Sequence, residues 1–369
     1  QPNSDYTIIK AARIFDGTGA KALQRQAILM DGRQISAIGP SDEISAPDGS
    51  KVTVCDYGNS TILPGLVDGH THMMAPGDGT HGDITGAEED DILLMRALKN
   101  AKTFLAAGVT TARENGAKNK VAFSLKKGIQ SGLSEGPEMI ISGRPITITG
   151  GHFWYCGSEA DGMDGVRQEV RKLVKEGADF IKIMATGGST WSSDPLRPSY
   201  TAEEIAVIVE EAHHFGKLTA AHCASMQGIK NSLDAGVDMI IHCVFKDSNG
   251  EANFREDVAE RIGSQGAYVN PTVHVARASV WSLQKRKEAR GINFQEQPGL
   301  DAALWELEIR WTHLARLIDM GLKIITGSDS SWVDYKLGNT VYETECLVQA
   351  GMSPMQGILS LTSDAAKAL

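Results

Sequence analysis

The fold that the sequence predicts is α/β: a (β/α)8 TIM-type barrel carrying a small β-sandwich module at its amino end, on three observations. Amphipathic helical segments end at a glycine and give way to a short apolar strand, six times from residue 108 onward. Those strands are continuous apolar runs, the pattern of parallel strands covered on both faces. Several of them finish in histidine or aspartate. With 369 residues, 41% apolar and 22% charged, the chain can bury a large core, which excludes a disordered chain and a disulfide-stapled miniprotein.

Residues 1–58 read as the β module. Strands are expected at 6–9, 27–30 and 34–38, with turns at Asp31-Gly32 and Gly39-Pro40. Residues 59–369 read as the barrel. Its first strand is expected at Ile62-Leu63 and continues through Pro64 to His72; others are expected at 109–111, after Gly108, and at 139–141. Gly177, Gly216, Gly236, Gly266 and Gly321 precede strands at 180–184, 218–221, 239–241, 267–269 and 322–325, which brings the total to eight. The helix at 202–214 has Thr201 and Glu204 as a capping box and Ile205, Ile208, Val209 and Ala212 as one apolar stripe. In such a barrel, functional side chains come from the carboxyl ends of the strands and the loops that follow.

The first strand ends in PGLVDGHTH, residues 64–72. Residues two apart on a strand point the same way, so His70 and His72 can offer imidazoles to one ion. Two histidines at this spacing are equally compatible with a hydrogen-bonded surface pair. What favours a metal is that His222, His242 and Asp329 end three further strands and should meet them at the barrel mouth. Lys182 sits inside the apolar run FIKIM, where an unpaired ammonium facing the core is costly.

The remaining composition narrows the class. Net charge is −10, and no basic run interleaved with aromatic residues is present, so a nucleic-acid partner is not expected. The apolar stretches fall far short of the ~20 residues that span a bilayer, so no membrane partner is expected either. Five cysteines form no CxxC pair, which favours reduced thiols; Cys223 and Cys243, each beside a strand-end histidine, read as core. The sequence starts at Gln1, compatible with an export signal already removed or with trimming, and the compartment, cytoplasmic or exported, stays open.

The PGLVDGHTH segment, the mid-barrel lysine, the two later strand-end histidines and the GSD segment at 327–329 occur in an order and spacing that resemble the amidohydrolase superfamily of metal-dependent hydrolases. GVTTAR at 108–113, SGRP at 142–145 with TGGH at 149–152, and AGMSP at 350–354 resemble its imidazolonepropionase-related branch, which includes prolidase-like and arginine-type carboxypeptidases. The resemblance implies two divalent ions, zinc first, with manganese or cobalt as alternatives. His70, His72 and Asp329 would hold the more buried ion and His222 and His242 the second, while Lys182 would carry a CO2-derived carbamate bridging both. That modification turns a cation that repels two dications into an anionic bridge.

It also implies hydroxide attack on an amide carbonyl with Asp329 as general base and acid, and no covalent intermediate. The expected substrate is a small molecule, a dipeptide or N-acyl amino acid with a free carboxylate. A lactone, an imidazolone-type cyclic amide or a phosphotriester would use the same site. A mononuclear deaminase leaves Lys182 without a bridging task, and a non-catalytic scaffold predicts lost ligands, which the sequence does not show. Homo-oligomers are common in the superfamily, but no interface patch stands out.

His152, in a Gly-Gly-His turn, is the candidate donor to the carbonyl oxygen or a substrate carboxylate, and His274 is a further pocket candidate. His81, His213, His214 and His313 read as residues satisfied locally. Arg113, Arg144 and Arg197 are the candidate cations for the carboxylate, and Tyr268 and Trp154 are candidate lining residues. Two departures stand out. Cys223-Ala224-Ser225 places alanine where relatives carry a larger residue two past the histidine, which weakens proline-type specificity, and Glu114 stands where Asp is common. Specificity should reside in the loops 73–90, 152–164 and 188–200, the last long enough for a lid. Members of the superfamily continue past the last barrel helix with strands that return to the module, so a segment beyond Leu369 is expected; the module edges would otherwise be unpaired.

Overall fold

The computed structural model describes residues 5–291, 297–330 and 332–369. The chain divides into two compact units, Gln1–Gly65 and Leu66–Leu369.

In the first unit, β1 (Asp5–Ile14), β2 (Leu23–Asp31), β3 (Gln34–Pro40), β4 (Lys51–Asp56) and β5 (Thr61–Ile62) form one sheet in the order β3-β2-β1-β4, with β5 also on β1. The β2–β3 hairpin closes through Gly32, whose φ of +58° is the left-handed conformation that glycine adopts without strain. β4 and then β5 pair in parallel along the same edge of β1. Ile8, Ala27 and Leu29 form the small core. Two expectations change here. The described residues of this unit form a single sheet rather than the two layers of a sandwich, and Ile62 belongs to this sheet rather than to the barrel. Pro64 has no N–H to give a ladder, so the strand stops before it and the next begins at Leu66.

The second unit alternates strands and helices. Its strands are β6 (Leu66–Thr71), β7 (Val109–Glu114), β8 (Glu138–Ile141), β9 (Ile181–Met184), β10 (Thr219–His222), β11 (Met239–Ile241) and β12 (Tyr268–Asn270), all pairing in parallel in the orders β6-β7-β8 and β9-β10-β11-β12. Single parallel bridges connect the two sheets on both sides: Ile146 with Ile183 on one, and on the other Val269 with Ile324 and Thr71 with Ser330. The expected strand at 322–325 is present only as this bridged segment, which gives Ile325 N–H to Val269 O and receives Val269 N–H at Lys323 O.

The helices are α1 (Gly82–Gly86), α2 (Asp90–Ala106), α3 (Val121–Gln130), α4 (Gly162–Glu176), α5 (Ala202–His214), α6 (Met226–Asp234), α7 (Glu256–Gln265), α8 (Val273–Arg290), α9 (Gln297–Asp319), α10 (Val341–Gln349), α11 (Pro354–Ser360) and α12 (Ser363–Lys367). All six glycines that punctuate the pattern have positive φ, and Gly177 and Gly266 are the left-handed residues that end α4 and α7. The capping box of α5 forms as expected, with Thr201 Oγ1 accepting from Glu204 N and Glu204 accepting from Thr201 N. Every residue of β9, β10 and β11 is buried, as the continuous apolar runs require. Cys223 and Cys243 lie in the core. No helix among the described residues is long and apolar enough to cross a membrane.

Candidate metal centre

A cavity of about 460 Å³ opens at the carboxyl ends of the strands, and His70, His72, His152, Lys182, His222, His242 and Asp329 all line it. His70 and His72 arrive side by side because they are two apart at the end of β6. Gly69, inside β6 and against the 323–330 segment, permits this approach: a Cβ there would stand 2.9 Å from Thr326 O. Asp329 is seated opposite, its N–H donating to His70 O at 2.7 Å.

The hydrogen bonds behind the two rings fix what they present in front. His70 Nδ1 donates to Asn270 Oδ1 at 3.0 Å, and Asn270 is itself oriented by Nδ2 donating to Ile325 O and Gly327 O. His72 Nδ1 donates to Gly116 O at 3.0 Å. With Nδ1 the donor in each ring, Nε2 is the nitrogen left to face the cavity. These two Nε2 atoms face each other at 3.2 Å, and both lie 3.4 Å from Asp329 Oδ1. Burial, the Lys182 charge and His72 hold the His70 imidazole well below its usual pKa, so it stays neutral. Two ring nitrogens and one carboxylate oxygen within 4.8 Å of one another form a donor set that fits a divalent cation.

The other predicted ligands border the same space. His222 and His242 stand with ring centroids 4.5 Å apart, and burial keeps both neutral. His222 Nε2 donates to Gly187 O at 3.0 Å, and His242 Nδ1 lies 2.6 Å from Thr272 Oγ1. The Lys182 amine donates no hydrogen bond and forms no ion pair among the described residues. Burial lowers its pKa from 10.5 to about 7, opposed by Asp329 and reinforced by Arg113. Backbone strain concentrates here: among the seven described non-glycine residues with positive φ, Phe153, His242, Thr272 and Asp329 all line the cavity.

His152 is buried, with Nδ1 2.8 Å from Thr190 Oγ1, which also accepts Phe153 N–H. Burial, followed by the Lys182 charge, lowers its pKa to about 3. Its ring reaches this position only because residue 188 is glycine; a Cβ there would stand 2.4 Å from His152 Nε2.

The predicted carboxylate-binding cations do not reach the cavity. Arg113 is 1% exposed, lying over the Phe180 ring at 3.8 Å, because its place on β7 aims it into the core. Arg144 is also buried, ion-paired to Glu169 and Glu176. Arg197 is exposed on the loop beyond the lining residues. His274 is buried behind the wall, where its Nδ1 accepts from Arg277 Nε at 2.8 Å. Trp154 and Tyr268 likewise lie outside the lining; Phe153 and Trp332 supply its aromatic surface.

Two lining residues escaped the sequence reading. His81 stacks on Trp191 at 4.8 Å and donates Nε2–H to Ser189 O, joining two of the loops expected to carry specificity. Arg310, in the middle of α9, is the arginine of the lining. Its Nε donates to Glu306 Oε1 at 2.7 Å, a pair four residues apart that in sequence resembles any surface helix pair. Glu114 stands behind His72: Oε2 accepts from Met73 N, Oε1 lies 4.0 Å from His72 Nδ1 without a hydrogen bond, and burial raises the carboxyl to about 7.

Residues 61–369 match the model of the amidohydrolase family. Ochratoxinase of Aspergillus niger is 26% identical across 97% of this chain and 75% of its own length. A solved Xaa-Pro dipeptidase with methionine bound in its active site superposes with a TM-score of 0.81 at 28% identity, covering 98% of this chain and 88% of that one. A prolidase complexed with N-methylphosphonate-L-proline shares the fold, with a TM-score of 0.80 at 23% identity over 98% and 87% of the two chains.

Proposed function

The chain belongs to the amidohydrolase family and is a metal-dependent hydrolase, and from that premise we propose that it cleaves the amide bond of a dipeptide or N-acyl amino acid with a free carboxylate. The observation that carries the reading is the set of ligand atoms from His70, His72 and Asp329, backed by a buried lysine amine that forms no hydrogen bond or ion pair among the described residues. The likeness to a Xaa-Pro dipeptidase supports a peptide-like amide as the bond cleaved. The scaffold in this reading is a (β/α)8 barrel whose eighth position is the 323–330 segment.

His70, His72 and Asp329 would hold one divalent ion and His222 and His242 a second, with zinc favoured by the mixed imidazole and carboxylate set. A neutral Lys182 amine is the form that adds CO2, releasing one proton to solvent, and the carbamate so formed would add an anionic oxygen ligand to the set. Bound divalent ions supply a polarised carbonyl and a water acidified to a pKa of about 7. Asp329 then takes the proton of the attacking water on its carboxylate and delivers it to the leaving nitrogen. With Thr190 Oγ1–H donated to His152 Nδ1, the imidazole keeps its proton on Nε2, as a neutral donor to the oxygen on which charge develops. Phe153 and Trp332 exclude bulk water from one wall.

The test is a hydrolysis screen of zinc-loaded protein against dipeptides and N-acyl amino acids, with lactones, a cyclic amide and a phosphotriester alongside and a Lys182→Ala control. Turnover of carboxylate-bearing amides that is lost in the control is expected. Turnover of lactones or phosphotriesters alone would overturn the substrate assignment.

A further inference from the structure

A second cavity of about 320 Å³ adjoins the first and shares Pro195, Ala224, Val275, Ser279 and Arg310 with its lining. Leu196, Val244, Ala276 and Ala303 extend the apolar wall, and Lys246 and Glu306 lie at its polar end. Ala224 lies on the wall common to both, and its methyl group fills little of the space that a larger side chain would take. Arg310 stands at the junction. Its side chain is 23% exposed, its Nε is engaged by Glu306, and the described residues offer its two terminal nitrogens no hydrogen-bond partner. Lys246 also pairs with Glu306, so one carboxylate serves two cations and the cluster keeps a net positive charge.

We propose that Arg310 grips the substrate's free carboxylate and that the second cavity takes the large apolar side chain next to it. The inference rests on the amide-hydrolase reading and names its specificity residues. The geometry matches that chemistry: a guanidinium held by Nε presents its remaining N–H groups as a fork that fits a carboxylate. An amino acid places its side chain one bond from its carboxylate, so a cation at the mouth of an apolar recess reads both groups together. Glycine leaves the recess empty, while phenylalanine fills it. Arg113, Arg144 and Arg197 are excluded from this role by their positions.

The experiment measures binding, so that it stays separate from turnover. N-methylphosphonyl derivatives of L-phenylalanine, L-phenylalaninamide and glycine, which mimic the tetrahedral stage of amide hydrolysis, are titrated calorimetrically into zinc-loaded wild-type protein and the Arg310→Met, Arg310→Lys and Ala224→Phe variants. Wild-type protein should prefer the phenylalanine carboxylate to its carboxamide by roughly 10- to 100-fold, the range of a charge-assisted hydrogen-bond pair. Arg310→Met should bring that ratio near one, and Arg310→Lys should restore part of it. Ala224→Phe should reduce the phenylalanine-to-glycine ratio about tenfold or more. An unchanged carboxylate preference in Arg310→Met, an unchanged side-chain preference in Ala224→Phe, or no binding to wild-type protein would overturn the proposal. Binding with these dependencies but no amide turnover would instead refute the proposed reaction and leave the two-part subsite standing.

Discussion

Replacing Lys182 by methionine should raise the stability of the metal-free protein while reducing the metal that it retains. The side chain is 1% exposed, and burial takes its pKa from 10.5 to about 7. At ~1.36 kcal/mol per pH unit, that fall corresponds to about 4–5 kcal/mol held against the charged form. Between about pH 7 and 10.5 the folded chain binds fewer protons here than the unfolded chain, so stability climbs with pH across the window and the full penalty falls below it. Methionine keeps most of the length and volume without the charge. Allowing for imperfect repacking, the variant should gain roughly 2–4 kcal/mol at neutral pH. Urea unfolding of chelator-treated, bicarbonate-free proteins measures this, with the advantage shrinking toward about pH 10. A variant less stable than wild type at pH 7, or an advantage that ignores pH, would refute the reasoning.

Three further outcomes follow from other contacts. Gly188→Ala should displace His152, since its Cβ would stand 2.4 Å from Nε2; kcat should fall by at least about tenfold, with little change in thermal midpoint, and an unchanged kcat would remove the donor role. Asn270→Leu removes the acceptor for His70 Nδ1, and competition with a chromogenic chelator should show zinc affinity reduced by roughly 10- to 100-fold. Glu343 accepts from Val273 N and His274 N, and burial raises its carboxyl from 4.5 to about 7. The folded chain therefore binds the extra proton between those values, and stability declines as pH rises through them. Glu343→Gln should shift relative stability in its own favour by about 3 kcal/mol across that window, and parallel unfolding profiles would contradict the assignment.

The candidate metal ligands were legible in sequence because strand chemistry is local. An HxH at a strand end must point both rings one way, and a histidine or aspartate ending an apolar run must emerge where its neighbours do. The glycines at 108, 177, 216, 236, 266 and 321 were legible for the same reason, since each marks a helix end. Reading 62–63 as a barrel strand failed because an apolar pair does not reveal its partner; β1 takes it, and Pro64 separates it from β6. Arg113 and Arg144 were visible as cations near strand ends, but whether a long side chain turns to the mouth or into the core depends on tertiary neighbours such as Phe180 and Glu176. Arg310 escaped because it lies mid-helix in α9 and reaches the cavity through the packing of α9 against α8, which no local pattern encodes.

Whether two bound metal ions drive amide hydrolysis is decided by metal titration of the apoprotein, with hydrolysis of an N-acyl amino acid followed as zinc is added in steps to chelator-stripped protein. Turnover should be negligible without metal, rise until two equivalents are bound, and not rise in a His70→Asn, His72→Asn double variant. Turnover by the stripped protein equal to that of the loaded protein, or full activity in the double variant, would contradict that role for the metal.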